Sequence, residues 1–269
     1  MKQFRGKRVL VTGAASGIGR LLAEAFATRG SEVVVVDRDA AGADATARAI
    51  KERGQKALSR ALDVTKLDEI AALERDLGAI DGLVNNAGVV FGGLFEQVPI
   101  EQHLNTYRVN VEGVVAMTHA FLPHLLRSDD GHIVNIASAS GFIGLPYGST
   151  YASSKWAVIG FSESLRVELS ERGISNLPVT TVCPGYISTG MFAGVKTPGV
   201  MPMLTPERIT AKIMEGVERN AAFVKEPFVV KTIDALKVIA PRVVFDQAAK
   251  LLGVTSSMQP WKGRSTPPA

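Results

Sequence analysis

The stretch that most constrains this chain is "VLVTGAASGIGRLLAEAF", residues 9–26: a short β-branched run, a glycine turn, then helical spacing of alanine and leucine. A strand feeding a helix through so tight a turn is the opening of a βαβ unit. Gly13, Gly17 and Gly19 give Gly-x-x-x-Gly-x-Gly, with Ser16 and Ile18 between them. Glycine here lets backbone approach a pyrophosphate, and the N-terminus of the following helix stabilises its negative charge.

The same rhythm continues. Runs at 7–12, 32–37, 56–63, 82–86, 132–138, 178–183 and 221–225 read as strands, several of them apolar without alternation, as in a sheet covered on both faces. Helical patterns lie near 18–29, 40–53, 66–77, 100–127, 151–172 and 206–219. The expected fold is therefore α/β, a doubly wound, parallel, seven-stranded Rossmann-like sheet with helices on both faces. Residues 1–225 form its dinucleotide-binding and catalytic domain, and 226–269 a small helical extension packed on it. Pro241 separates two apolar helical stretches in that extension, and "WKGRSTPPA" reads as a frayed tail.

Several function classes drop out. A net charge of +4 without a Lys/Arg block gives no footprint for nucleic acid. The N-terminal apolar run is too short for a signal peptide or a membrane span, so a cytoplasmic location is expected. The single cysteine, Cys183, excludes an internal disulfide, and its apolar neighbours fit a core thiol. His103, His119, His124 and His132 show no ligand spacing, so no metal is expected.

Candidate site residues sit at the strand ends, where open α/β sheets bind ligands. Asp37, closing the second strand, is placed to take adenosine ribose hydroxyls and to repel a 2′-phosphate, which favours NAD. Arg38 beside it is placed to pair with that phosphate, which leaves NADP open while NAD stays favoured; both residues also suit a solvated turn. Asp63 and Val64 end the third strand near the adenine position. Asn86, Ala87 and Gly88 follow the fourth, where side-chain amides tie strand ends together, or where plain turn chemistry needs them.

"YASSK" places Tyr151 and Lys155 one helical turn apart, and Tyr151 is the only one of four tyrosines with a lysine at that spacing. An ammonium, with an oxidised nicotinamide, lowers a phenol from about 10 into the range of a general base. Ser138, after the fifth strand, is placed to hold a substrate oxygen, and Asn110 to hold a water leading from Lys155 to solvent.

"TGAASGIG", "NNAG", "NVEG", "IVNIAS", "YASSK" and "CPGYIST" together resemble the short-chain dehydrogenase/reductase family, in order and spacing, across about residues 5–225. The resemblance implies a tetrad of Asn110, Ser138, Tyr151 and Lys155, with Lys155 also on the nicotinamide ribose. It implies that Ile187 and Thr189, after Pro184 and Gly185, meet the carboxamide. Ala137 stands where the family often has a second serine. The C-terminal third is similar to the retinol and 17β-hydroxysteroid dehydrogenase branch, which implies a hydrophobic alcohol or carbonyl substrate and a homodimer or homotetramer.

The expected activity is NAD-linked oxidation of a secondary or long-chain hydrophobic alcohol. The alternatives are NADPH-dependent reduction of a ketoacyl or other carbonyl compound, and a dinucleotide-binding sensor or scaffold without turnover. Residues 190–206 suit a mobile apolar loop. The helices of 226–255 cap the core, line a greasy pocket with Met191, Met201 and Met203, or lie on a membrane surface. Phe192, Phe228, Ile233, Leu236 and Phe245 are expected in that pocket.

Overall fold

Val33–Val36 run apolar without alternation, so the strand that holds them must be covered on both faces. The computed structural model, which describes residues 1–263, shows that arrangement. Among these residues the strands are β1 (Arg8–Thr12), β2 (Glu32–Asp37), β3 (Ala57–Ala61), β4 (Gly82–Asn85), β5 (His132–Ile136), β6 (Val179–Pro184) and β7 (Phe223–Glu226). They pair in parallel in the order β3-β2-β1-β4-β5-β6-β7. Val9 is in register with Val33 on one side and Gly82 on the other.

The helices are α1 (Gly17–Thr28), α2 (Ala40–Glu52), α3 (Leu67–Leu77), α4 (Ile100–Tyr107), α5 (Gly113–Arg127), α6 (Ser149–Glu171), α7 (Pro206–Glu218), α8 (Val229–Ile239) and α9 (Arg242–Leu251). Alternate strand residues point to opposite faces. Val9, Val11, Val33 and Val35 pack with Phe26 of α1, Ile50 of α2 and Ile213 of α7. Leu10, Val34, Leu83 and Ile133 pack with Leu73 of α3, Phe121 of α5 and Leu165 of α6. Successive crossovers run outward in opposite directions from β1 and β4, and that reversal opens a crevice at the strand C-termini.

Three local departures from the sequence reading matter for function. The single helix expected over 100–127 is two, α4 and α5, joined by a π turn at Arg108–Glu112 that contains Asn110. β5 stops at Ile136, and Ser138 caps the short 3₁₀ turn Ala139–Gly141. The loop at 190–206 is tied down: Lys196 N–H donates to the Ser257 carbonyl at 3.1 Å, and Lys262 N–H to that of Ala193 at 2.9 Å.

Pro241 stands between α8 and α9 as the N-cap of the second. Val230 and Ile233 of α8 are buried against the site side of the sheet, whereas α9 buries none of its residues. Past α9 the chain turns back over the crevice. Trp261, expected in a frayed tail, packs there: its indole N–H donates to the Met191 carbonyl at 3.1 Å. Residues 264–269 of that tail lie outside the described residues.

Candidate active site and cofactor cleft

The first turn needs its glycines for separate reasons. Gly13 has φ +65°, and a Cβ there would stand 2.8 Å from Ala87 Cα. On Gly19 a Cβ would meet the Gly13 carbonyl oxygen at 2.2 Å, so only glycine lets α1 start so close to the end of β1. Asn86 secures the turn from β4: its Nδ2 donates to the carbonyls of Thr12 (2.9 Å) and Gly13 (3.0 Å). Ser16 is the extended N-cap of α1 and makes no side-chain cap bond, which leaves first-turn N–H groups facing the cleft.

One cleft runs along the strand ends and takes in most of the residues singled out above. Gly13, Ser16, Gly17, Ile18, Gly19, Asp37, Arg38, Asp63 and Val64 line one half, and Asn86, Ala87, Gly88, Ser138, Tyr151, Lys155, Pro184, Gly185, Ile187 and Thr189 the other. Leu62, Asn105, Met191 and Phe192 also line it. No local motif marks Leu62 or Asn105. The carboxylate of Asp37 accepts from Ala15 N–H and Asp39 N–H, both at 3.0 Å, which fixes its direction at the cleft edge. Asp63 Oδ1 accepts from Thr65 N–H at 2.9 Å and its hydroxyl at 2.8 Å, so turn chemistry occupies it as well. The glycine cradle, the open helix terminus and the fixed carboxylate together fit a dinucleotide.

Asn110 stands outside that lining. Its Oδ1 accepts from Val89 N–H at 2.8 Å, and its Nδ2 donates to the Val89 carbonyl at 2.9 Å and to Ser154 Oγ at 3.0 Å. The Asn110 amide is thus spent on holding the segment after Gly88 and on Ser154, rather than on a water.

Tyr151 and Lys155 lie on the buried face of α6, and Lys155 is only 5 % exposed. Lys155 Nζ donates to the Ile136 carbonyl at 2.8 Å and stands 5.7 Å from the centroid of the Tyr151 ring. A Cβ on Gly88 would come within 3.6 Å of that nitrogen, so Gly88 keeps the space beside it open. Burial pushes the ammonium of Lys155 down from 10.5 to about 8, with Cys183 opposing the shift. For Tyr151 the expected lowering is reversed in the protein by itself. Burial raises the phenol above its ordinary value, the hydrogen bond with Ser138 works against that, and Tyr186 adds to it. A base at this position needs positive charge brought into the cleft beside it.

Comparison with known proteins agrees with this geometry. The family profile described as short chain dehydrogenase matches residues 7–198. Epidermal retinol dehydrogenase 2 of Mus musculus is 33 % identical over 98 % of this chain and 87 % of its own length. Estradiol 17-beta-dehydrogenase 11 of Homo sapiens is 33 % identical over 89 % of this chain and 81 % of its own. A short chain dehydrogenase/reductase from Burkholderia phymatum, solved in complex with NAD, superposes with TM-score 0.79 at 25 % identity, covering 87 % of this chain and 94 % of that one. A metagenomic short-chain oxidoreductase in complex with NADP gives 0.69 at 29 %, covering 83 % and 96 %.

Proposed function

Since this chain belongs to the short-chain dehydrogenase family, and is thus an NAD(P)-dependent oxidoreductase of CH–OH groups, we propose that it oxidises a hydrophobic secondary or long-chain alcohol with NAD. The observation that carries the reading is that Ser138, Tyr151 and Lys155 share one cleft with the glycine turn and Asp37. A bound nicotinamide would accept the hydride. The Ser138 hydroxyl steadies the substrate oxygen, and the Tyr151 phenolate takes its proton. Lys155, fixed by the Ile136 carbonyl, holds its ammonium where it favours that phenolate, and would hold a ribose hydroxyl of a bound nicotinamide nucleotide. The direction of Asp37 supports NAD; Arg38, on the same cleft edge, supports NADPH-linked carbonyl reduction as the second reading.

A lipid-like substrate is supported by the apolar walls beyond Tyr151, including Met201 and Phe192, and by relatives named for retinol and estradiol. Met203, Phe228 and Leu236, expected on those walls, face outward instead. Their surroundings support contact with a membrane surface. Phe228 is 71 %, Ile239 80 % and Leu251 87 % exposed, beside the basic Arg242 and Lys250. Among the described residues no helix is long and apolar enough to cross a membrane. A homodimer through α4, α5 and α6 is supported by the exposed Leu104, Val115, Trp156 and Val167. Light scattering at micromolar concentration tests the dimer, and a monomer refutes it.

The experiment for the activity is a panel of secondary alcohols of increasing chain length, assayed with NAD and with NADP. Specificity constants should rise with length and favour NAD. A short polar alcohol as best substrate would overturn the hydrophobic assignment, and equal use of NADP would overturn the cofactor preference.

A further inference from the structure

Beyond Tyr151 a second, smaller cavity opens off the cofactor cleft, and its free space is only about 30 Å³. That is room for water and far too little for the chain of a lipid-like substrate. A wall must therefore move, and the walls differ in what holds them.

Ser138, Ser140, Tyr151 and Gly185 belong to the inner wall, which is fixed to the sheet and to α6. The Ser140 carbonyl accepts from Trp156 Nε1 at 2.9 Å, and Gly185 N–H donates to the Glu226 carbonyl at 2.7 Å. A Cβ on Gly141 would meet Ile159 at 2.5 Å, so this turn sits tight on α6. Phe192, Pro198 and Met201 of the loop, with Val254 and Ser257 of the tail, make the outer wall. Among the described residues, the backbone hydrogen bonds of residues 190–201 stay within the loop or go to the tail. Loop and tail are thus hydrogen-bonded to each other rather than to the sheet. α9, which leads into the tail, buries none of its residues. Gly190 (φ +85°) at the start of the loop and Gly253 (φ +77°) before the tail give each a place to turn.

Few contacts hold the tail down. Tyr186 and Ser257 share a hydrogen bond at 2.7 Å, Met258 is buried, and the indole of Trp261 lies in a socket lined by glycine. A Cβ on Gly92 would come within 2.8 Å of the ring, and one on Gly263 within 2.6 Å. Gly92 is not in the left-handed region, so the ring, not the backbone, requires glycine there. The indole N–H donates to the Met191 carbonyl at 3.1 Å, so this one side chain joins the segment after β4, the loop and the tail.

We propose that the tail is a latch on the substrate cavity: residues 254–263 lift together with the loop to admit a hydrophobic substrate, and Trp261 in its glycine socket is the catch. An alcohol short enough to stay beside Tyr151 needs no such movement. The proposal rests on the reading of the substrate as lipid-like, which sets the size of what must pass.

A Cβ on Gly92 would lie 3.1 Å from Trp261 Cγ, one bond from the Cβ of Trp261, which suits a disulfide. The test is the double variant Gly92→Cys with Trp261→Cys, reduced and oxidised, loaded with NADH; the native Cys183 is buried. Oxidation should weaken 2-decanol binding at least about tenfold, by removing the open form, and reduction should restore it. Turnover of 2-propanol with NAD should be alike in both forms. In the unsubstituted protein, the rate of 2-decanol association, followed by NADH emission, should level off as concentration rises, because opening precedes binding. Equal 2-decanol affinity in the two forms, 2-propanol turnover lost on oxidation, a pair that will not oxidise, or a linear rise in rate each overturns the latch. Gated binding of 2-decanol without turnover upholds it and counts against the dehydrogenase reading instead.

Discussion

The two ends of the crevice are built by different means. At the cofactor end the wall is backbone: glycine turns, an open helix terminus and an asparagine lacing β4 to β1. At the substrate end it is side chains from segments far apart in sequence. Tyr186 and Ser257 bond across 71 residues, and Trp261 reaches back 70 to Met191. A backbone wall admits few substitutions and fixes one ligand class. A side-chain wall changes by single substitutions and suits the choice of substrate. Lys155 belongs to the first end and Trp261 to the second, so variants at each should fail differently.

Among the variants that separate the two ends, the largest expected effect is on stability. The fold holds the Lys155 value at about 8 against 10.5 unfolded, so between those values the unfolded chain binds more protons. Stability therefore rises with pH through that window, by about 3 kcal/mol in full, and is lowest below pH 8. Tyr151 has the opposite sign, its raised value costing stability above pH 10, and the buried Met1 amine, held down from 8.0 to about 6, adds its own rise below pH 8, so denaturation between pH 8 and 9.5 isolates the lysine. Lys155→Met should abolish the slope and stabilise the protein at pH 7 while removing turnover. A slope that persists in the variant would show that the ammonium is not held at a cost there.

Asp37→Ala comes next. Loss of the carboxylate should shift the ratio of specificity constants toward NADP about tenfold or more, with little change in alcohol preference. Movement in both would blur the division between the two ends. Trp261→Ala should give the smallest change: KM for long-chain alcohols up about threefold to tenfold, with cofactor affinity unchanged, because only the wall around Met191 loosens. Weakened NAD binding in that variant would mean that the tail supports both ends.

The same division explains how far the sequence could be read. The fold and the glycine turn were legible because their requirements are local: runs such as Val33–Val36 and the triplet Gly13, Gly17 and Gly19 each state a backbone condition within a few residues. The break at Arg108–Glu112 was not, since every residue there is acceptable in an ordinary helix. Ser257 and Trp261 carry no local mark and meet the loop at 190–206 only when the tail folds back. Phe228 and Leu236 looked like pocket residues from composition, but an apolar helix face does not say which neighbour it meets. Spacing alone pairs Tyr151 with Lys155, while the upward effect of burial on its phenol comes only from the structure.

On the proposed mechanism, Tyr151 moves the proton in a cleft that binds the dinucleotide independently of it. Tyr151→Phe, assayed in single turnover with NAD and a long-chain secondary alcohol, tests it most directly when paired with NADH binding to the same protein. The rate should fall by about a hundredfold to ten-thousandfold, with the dissociation constant for NADH within about threefold of the unsubstituted protein. A near-normal rate with unchanged binding would contradict it.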